Sequence, residues 1–136
     1  MVRRFARLER DRGSAAVEFA IVVPLLLVLV LGIINFGTWF GQQLSLNAAV
    51  REGARAAVVP ATGRTADVTT LVRSSVSGIA MDPDDVAVTG GACPGTGGGQ
   101  DLAVTATYVS PALAPLPIPG FDTVTLRAEA VIRCEW

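Results

Sequence analysis

The sequence contains no lysine and no histidine. Those two absences exclude a large share of enzyme chemistry. There can be no Ser-His-Asp triad, no Cys-His pair, no Schiff-base lysine, no histidine metal site and no Walker-A lysine. Charge is also sparse: charged residues make up 17% of the 136 residues, against about 25% in an average soluble domain. The net charge of −1 gives no bulk attraction to nucleic acid, and no nucleic-acid partner is expected. There are only two cysteines, with no CxxC pair and no histidine, so no metal site is expected; no cofactor is expected either. What is abundant is apolar surface, with 51% hydrophobic residues and a mean hydropathy of +0.50. That suits neither a disordered chain nor an ordinary soluble one.

The distribution is uneven. The first twelve residues hold Arg3, Arg4, Arg7, Arg10 and Arg12 against Glu9 and Asp11. An apolar run follows from Ala15 to Ile34, interrupted only by Glu18, and Phe19 to Val50 carries no charge. Within Phe19–Phe40 only Asn35 and Thr38 are clearly polar. As a helix this stretch is about 33 Å long, enough to cross a hydrocarbon core of about 30 Å. The arginine-rich end is expected to stay in the cytoplasm and the C-terminal part to lie outside it. The protein is therefore expected in the cytoplasmic membrane as a single-pass protein in contact with lipid. A secretory signal peptide fits poorly, because its apolar region runs only about 7–15 residues. No small-x-small site closes the run here, and no cysteine precedes Cys93.

The junction Gly13-Ser14-Ala15-Ala16-Val17-Glu18-Phe19 suggests something more specific than an anchor. A carboxylate in a membrane helix costs about 2.5–3.5 kcal/mol at its centre and less near an end, so Glu18 calls for a partner. Cutting the chain after Gly13 would give Ser14 an α-amino group with a reference pKa of about 8. That cation could pair with Glu18 of a neighbouring subunit. Glu18 would also fall in the first turn of the new helix, where the dipole favours negative charge. The bland alternative is an interfacial glutamate at the end of an ordinary anchor.

This pattern resembles the prepilin-peptidase site of type IV pilins: a basic leader, a glycine, then glutamate at the fifth mature position. The longer stretch from Arg12 through Pro24 to Leu27 resembles the TadE/TadG-like pseudopilins of the Tad (Flp) pilus system, TadE most of all. Asn47-Ala-Ala-Val-Arg-Glu-Gly-Ala-Arg55 resembles that family's second signature. The resemblance implies cleavage between Gly13 and Ser14, an assembly role for Glu18, and a part in building a pilus for adhesion or surface colonisation. It implies as partners a prepilin peptidase, other Tad pilins and pseudopilins, and an inner-membrane assembly platform. The chain itself is expected not to be an enzyme. The competing reading is an uncleaved single-pass membrane protein whose outer domain binds an envelope component.

Three parts are expected: a basic cytoplasmic leader over 1–13, a long helix over 14–59 ended by Pro60, and an extracytoplasmic domain over 60–136. Pro24 inside the helix favours a kink, though membrane helices also tolerate proline. The small residues Ala48, Ala49, Gly53 and Ala54 allow close packing, either of the subunit's own sheet or of a neighbouring subunit. Arg51, Glu52 and Arg55 read as a solvated face, and Trp39 and Phe40 suit a membrane interface.

Beyond the helix the pattern is α+β. Val68, Leu71, Val72, Val76 and Ile79 recur at helical spacing and predict a second helix over 65–79. Alternation over 85–89, 101–109 and 123–134 predicts about three strands of a small antiparallel sheet packed on the long helix. Asp82–Asp85 reads as a turn rather than a calcium site. The glycine-rich stretch 90–99 reads as a hairpin loop, since it lacks the lysine and spacing of a phosphate-binding loop. The proline-rich stretch 110–121 should be extended and stiff, with Leu113, Leu116, Ile118 and Phe121 covering the domain's own core or touching a partner or the membrane surface. A disulfide between Cys93 and Cys134 is expected. It would close a loop of about 40 residues and contribute about 3–4 kcal/mol; two buried free thiols are the alternative.

Overall fold

The structure, a computed structural model, describes residues 5–58, 65–90, 101–114, 116 and 118–133. Helix α1 spans Phe5–Val58 and α2 spans Thr65–Ser75. A 3-10 turn over Pro83–Asp85 leads into β1 (Val86–Thr89), followed by β2 (Asp101–Pro111) and β3 (Thr123–Arg133). The fold is α+β: a long N-terminal apolar helix, a short second helix and a three-stranded antiparallel sheet in the order β1-β2-β3.

At 54 residues, α1 is about 81 Å long. It begins at Phe5 rather than at Ser14, and it runs unbroken through Gly13 and Pro24. Residues 5–12 are rich in helix formers such as alanine, leucine, arginine and glutamate, so helical structure extends back through the basic segment. From Gly13 onward the N-terminal part of α1 is largely exposed: Phe19, Ile21 and Leu25 are each at least 70% exposed.

The C-terminal part of α1 holds the core. Leu46, Ala49, Val50, Ala54 and Ala57 are buried at helical spacing. They meet Val68, Val72 and Val76 after and within α2, and Leu102, Val104, Ala106, Leu126 and Ala128 of the sheet. The strands alternate as their sequence dictates. Val104 lies opposite Ala130, Ala106 opposite Ala128 and Tyr108 opposite Leu126. The even positions face the helices, while Thr107, Thr125, Arg127, Glu129 and Arg133 are exposed. Two exposed ion pairs, Arg127–Glu129 at 3.8 Å and Arg133–Asp101 at 3.5 Å, add little stability there.

Helix α2 ends at Ser75, short of the expected Ile79. The Ser77 N–H donates to Ser45 Oγ of α1 at 2.8 Å instead of continuing the helix. Gly78 then takes a left-handed φ of +73°, a conformation glycine adopts freely. The chain turns, and Ile79 and Met81 fold back onto the core. Arg73 Nε fixes this turn by donating to the Met81 carbonyl at 2.8 Å. Asp82–Asp85 is a turn as expected: the Asp82 N–H donates to Asp85 Oδ2 at 2.8 Å. At the end of β1, Gly90 has φ +105° and sits so close to the β2 backbone that a Cβ would lie 2.4 Å from the Asp101 carbonyl oxygen.

Candidate functional site

The residues singled out in the sequence fall on two stretches of α1. Gly13, Ser14 and Glu18 lie together on the exposed N-terminal stretch, all three open to the surroundings. Gly13 has no heavy atom near the place where a Cβ would stand. A glycine inside a helix weakens it by roughly 0.5–1 kcal/mol relative to alanine, yet α1 is continuous through the Gly13–Ser14 bond. Pro24 is exposed too, within the same continuous helix. From Gly13 to Val58 the helix is long and apolar enough to cross a membrane, with a window of mean hydropathy 2.9 of which none is buried.

The second stretch carries the small residues. Ala49, Gly53 and Ala54 are buried in the subunit's own core, whereas Ala48 is exposed. Gly53 packs on α2 rather than on the sheet: a Cβ there would lie 2.3 Å from Val72 Cγ2. The glycine is what lets the two helices approach this closely. Arg51, Glu52 and Arg55 are exposed, as a solvated face should be. Arg51 and Arg55, with Glu129, Val131 and Ile132, line a shallow surface depression between α1 and β3.

Between these stretches lies an arrangement that sequence reasoning missed. Asn35, Trp39, Gln42 and Gln43 follow one face of α1 at helical spacing, and each reaches the β2–β3 hairpin. The Asn35 amide exchanges two hydrogen bonds with Ala114, donating to its carbonyl at 2.8 Å and accepting from its N–H at 3.0 Å. Trp39 Nε1 donates to the Pro111 carbonyl at 3.4 Å. Ser110 Oγ donates to Gln42 Oε1 at 2.5 Å, and Gln43 Nε2 donates to the Arg127 carbonyl at 2.9 Å. Asn35 and Ser110 are fully buried by these contacts. The available signal was uncharged polar residues recurring on one face of an otherwise apolar helix. Thr38 does not take part; its hydroxyl bonds back to the Ile34 carbonyl at 3.0 Å.

The proline-rich stretch is the β2–β3 connection, closed at its neck by the Ala112 N–H donating to the Asp122 carbonyl at 2.7 Å. Its apolar side chains divide. Leu116 is buried, while Leu113, Ile118 and Phe121 are exposed. Cys93 and Cys134, the expected disulfide partners, lie outside the described residues. Asp101 pairs with Arg133 across the sheet, so the chain enters β2 and leaves β3 at the same end.

Among the described residues one apolar helix is of membrane-crossing length and carries an α+β domain on its C-terminal half, an arrangement that fits a single-pass membrane protein. Residues 13–55 match the family described as TadE-like protein, and this segment supports a place in the TadE-like family. The matched segment begins at the Gly13 junction and ends at Arg55, so it takes in both stretches of α1 and the polar face between them. That match and the apolar N-terminal helix together fit a Tad pilus pseudopilin, and the family implies other pilus components as partners. No curated protein and no solved structure matches the chain.

Proposed function

We propose that this protein is a minor pseudopilin, cut after Gly13 by a prepilin peptidase and used in assembling a Tad-type pilus that serves adhesion or surface colonisation. The observation that carries the reading is the Gly13-to-Glu18 junction at the head of an exposed apolar helix, inside the segment matched by the TadE-like family. The protein is inserted with its basic end in the cytoplasm and its α+β domain outside. It is not an enzyme. The peptidase supplies the chemistry, and this chain supplies the scissile bond.

Cleavage makes physical sense of Glu18. With the leader removed, the Ser14 ammonium becomes a cation at the end of an apolar helix. A neighbouring subunit's Glu18 offers the matching anion in the same low-dielectric layer, where opposite charges attract far more strongly than in water. Lateral association of the bare N-terminal helices then aligns subunits in register. The α+β domain remains on the outside as a cap, initiator or adaptor of the assembly.

The test is the mature N-terminus, read by mass spectrometry on protein from its own host. The expected chain begins at Ser14. A chain still carrying Met1 to Gly13 in cells with an active prepilin peptidase overturns the proposal. It would leave an uncleaved membrane protein whose outer domain binds an envelope component.

A further inference from the structure

We propose that the loop from Pro111 to Asp122 is a membrane-contact element, seated in the headgroup–acyl boundary of the leaflet that faces the α+β domain, with lipid as its occupant. The inference rests on α1 crossing the bilayer, and not on cleavage or pilus assembly.

The first argument is position. The hairpin descends along α1 towards the apolar span: Gln42 holds Ser110, Trp39 holds Pro111 and Asn35 holds Ala114. As β2 and the loop advance, their partners on α1 step back towards its N-terminus. If Phe19–Phe40 fills the hydrocarbon layer, Asn35 lies about 7.5 Å inside its domain-side edge. That agrees with the depth of about 5–10 Å at which apolar faces of interfacial segments sit.

The second argument is chemistry. The loop has no ionisable side chain before Asp122, and α1 has none between Glu18 and Arg51. Leu113 is 69% exposed and Phe121 48%. Their neighbours are bonded to Trp39 and Asn35 or to each other, along the part of α1 that exposes Ile33, Phe36 and Phe40. Leu113 sits between the residues bonded to Trp39 and Asn35, and Phe121 precedes Asp122, whose carbonyl holds Ala112.

The third argument is the backbone. Irregular chain survives at membrane depth only where its polar groups are satisfied within the protein. Pro111, Pro115, Pro117 and Pro119 have no N–H to satisfy. Three of the loop's other N–H groups are bonded within the protein, Ala112 to Asp122, Phe121 to Ile118 and Ala114 to Asn35. The Ala114 carbonyl is also taken by Asn35. The prolines and the Asn35 amide together reduce the polarity a lipid surface would have to desolvate.

The experiment is photo-crosslinking of the full chain in phosphatidylethanolamine–phosphatidylglycerol vesicles and in host membranes. p-Benzoylphenylalanine replaces, one at a time, Leu113, Phe121, Leu27 in the middle of the span, and Ala87 on the outer face of β1. Lipid adducts, read by mass spectrometry, are expected at Leu113, Phe121 and Leu27 and not at Ala87. Adducts at Leu27 with none at either loop position overturn the proposal while leaving the membrane span intact. Protein adducts in place of lipid adducts at both loop positions overturn it in favour of a subunit contact. Absence of adducts at Leu27 overturns the span, and the loop proposal with it. Leu113 and Phe121 are both exposed, so two independent substitutions guard against one of them disturbing the fold.

Discussion

Asn35 and Ala114 are 79 positions apart in the chain and joined by two hydrogen bonds, at 2.8 and 3.0 Å, between one side-chain amide and one backbone amide. The pair fixes the β2–β3 connection to the apolar stretch of α1. Replacing Asn35 by alanine leaves the Ala114 N–H and C=O without their partner. The cost of abandoning buried polar groups is about 1–3 kcal/mol. Asn35→Ala is expected to release the loop while leaving the helix–sheet core in place. Hydrogen exchange checks this: the Ala114 amide should lose protection and the Val104 amide should keep it.

Gly53 faces Val72, and the room between them is less than one methyl group. A β-branched side chain such as Val72 has little freedom to move aside. Gly53→Val should therefore displace α2 and destabilise the domain by about 1–3 kcal/mol, the usual cost of overpacking. Gly53→Ala should cost less, because alanine recovers about 1 kcal/mol of helix propensity. A paired Val72→Ala change should restore part of the loss in Gly53→Val, as expected for residues in direct contact. Denaturant melts of the four variants give the coupling. Additive losses would mean that the two residues do not share this space.

These two contacts also mark what the sequence could and could not reveal. Strand faces were legible because side chains alternate with period two: Leu102, Val104 and Ala106 are buried, and Thr107 and Arg127 are exposed, as their alternation requires. The long helix was legible from its uncharged apolar length. Its start was not, because helix propensity in residues 5–12 competes with the reading of a basic leader as a separate segment. The small residues on α1 announced a close approach but not the element approaching, and Gly53 proved to receive α2. Ile79 is in phase with α2 yet reaches the core through a turn at Gly78, a difference that periodicity cannot express. Asn35 stood out as polar in an apolar run, but its partner is a backbone amide, which carries no side-chain signature. Gly13, Ser14 and Glu18 form a local sequence pattern, and all three lie exposed on one helix.

The cysteine pair has a direct test. Cys93 lies in the β1–β2 connection and Cys134 directly follows β3. β2 begins and β3 ends at the same end of the sheet. A bridge between them is expected in protein purified without reductant. Reduction should add two hydrogens' mass and lower stability by about 3–4 kcal/mol, the chain-entropy contribution of a loop of about 40 residues. Ready alkylation of both thiols before reduction would show that no bridge forms.

In the proposed pseudopilin, Gly13 is expected to control whether Ser14 becomes a terminus. The position is open in the folded chain, with nothing near its missing Cβ, so Gly13→Leu should leave folding and membrane insertion unchanged. Its expected effect is on the peptidase alone: a larger residue at the cut should hold the protein at its full length. The measurement is the mass of the membrane-extracted chain beside the parent protein. Normal trimming of Gly13→Leu would remove Gly13 from the recognition site.

In the proposed pseudopilin, Glu18 is expected to separate assembly from every earlier step. It is exposed on α1, so the subunit's own fold does not need it. Glu18→Gln keeps the size and the helical propensity and removes only the charge. Insertion should persist, since a neutral amide in an apolar helix is easier to bury than a carboxylate. The mature terminus at Ser14 should persist as well. What should fail is association, because the Ser14 ammonium of one subunit then meets no anion on the next and is left uncompensated in a low-dielectric layer. Pilus counts on the cell surface should fall to near zero while the amount of cleaved protein in the membrane stays level with the parent. Glu18→Asp, with the charge restored on a shorter side chain, should recover part of the count. Full piliation by Glu18→Gln would show that the carboxylate has no part in assembly. Loss of the cleaved protein from the membrane would instead place its role in insertion or processing.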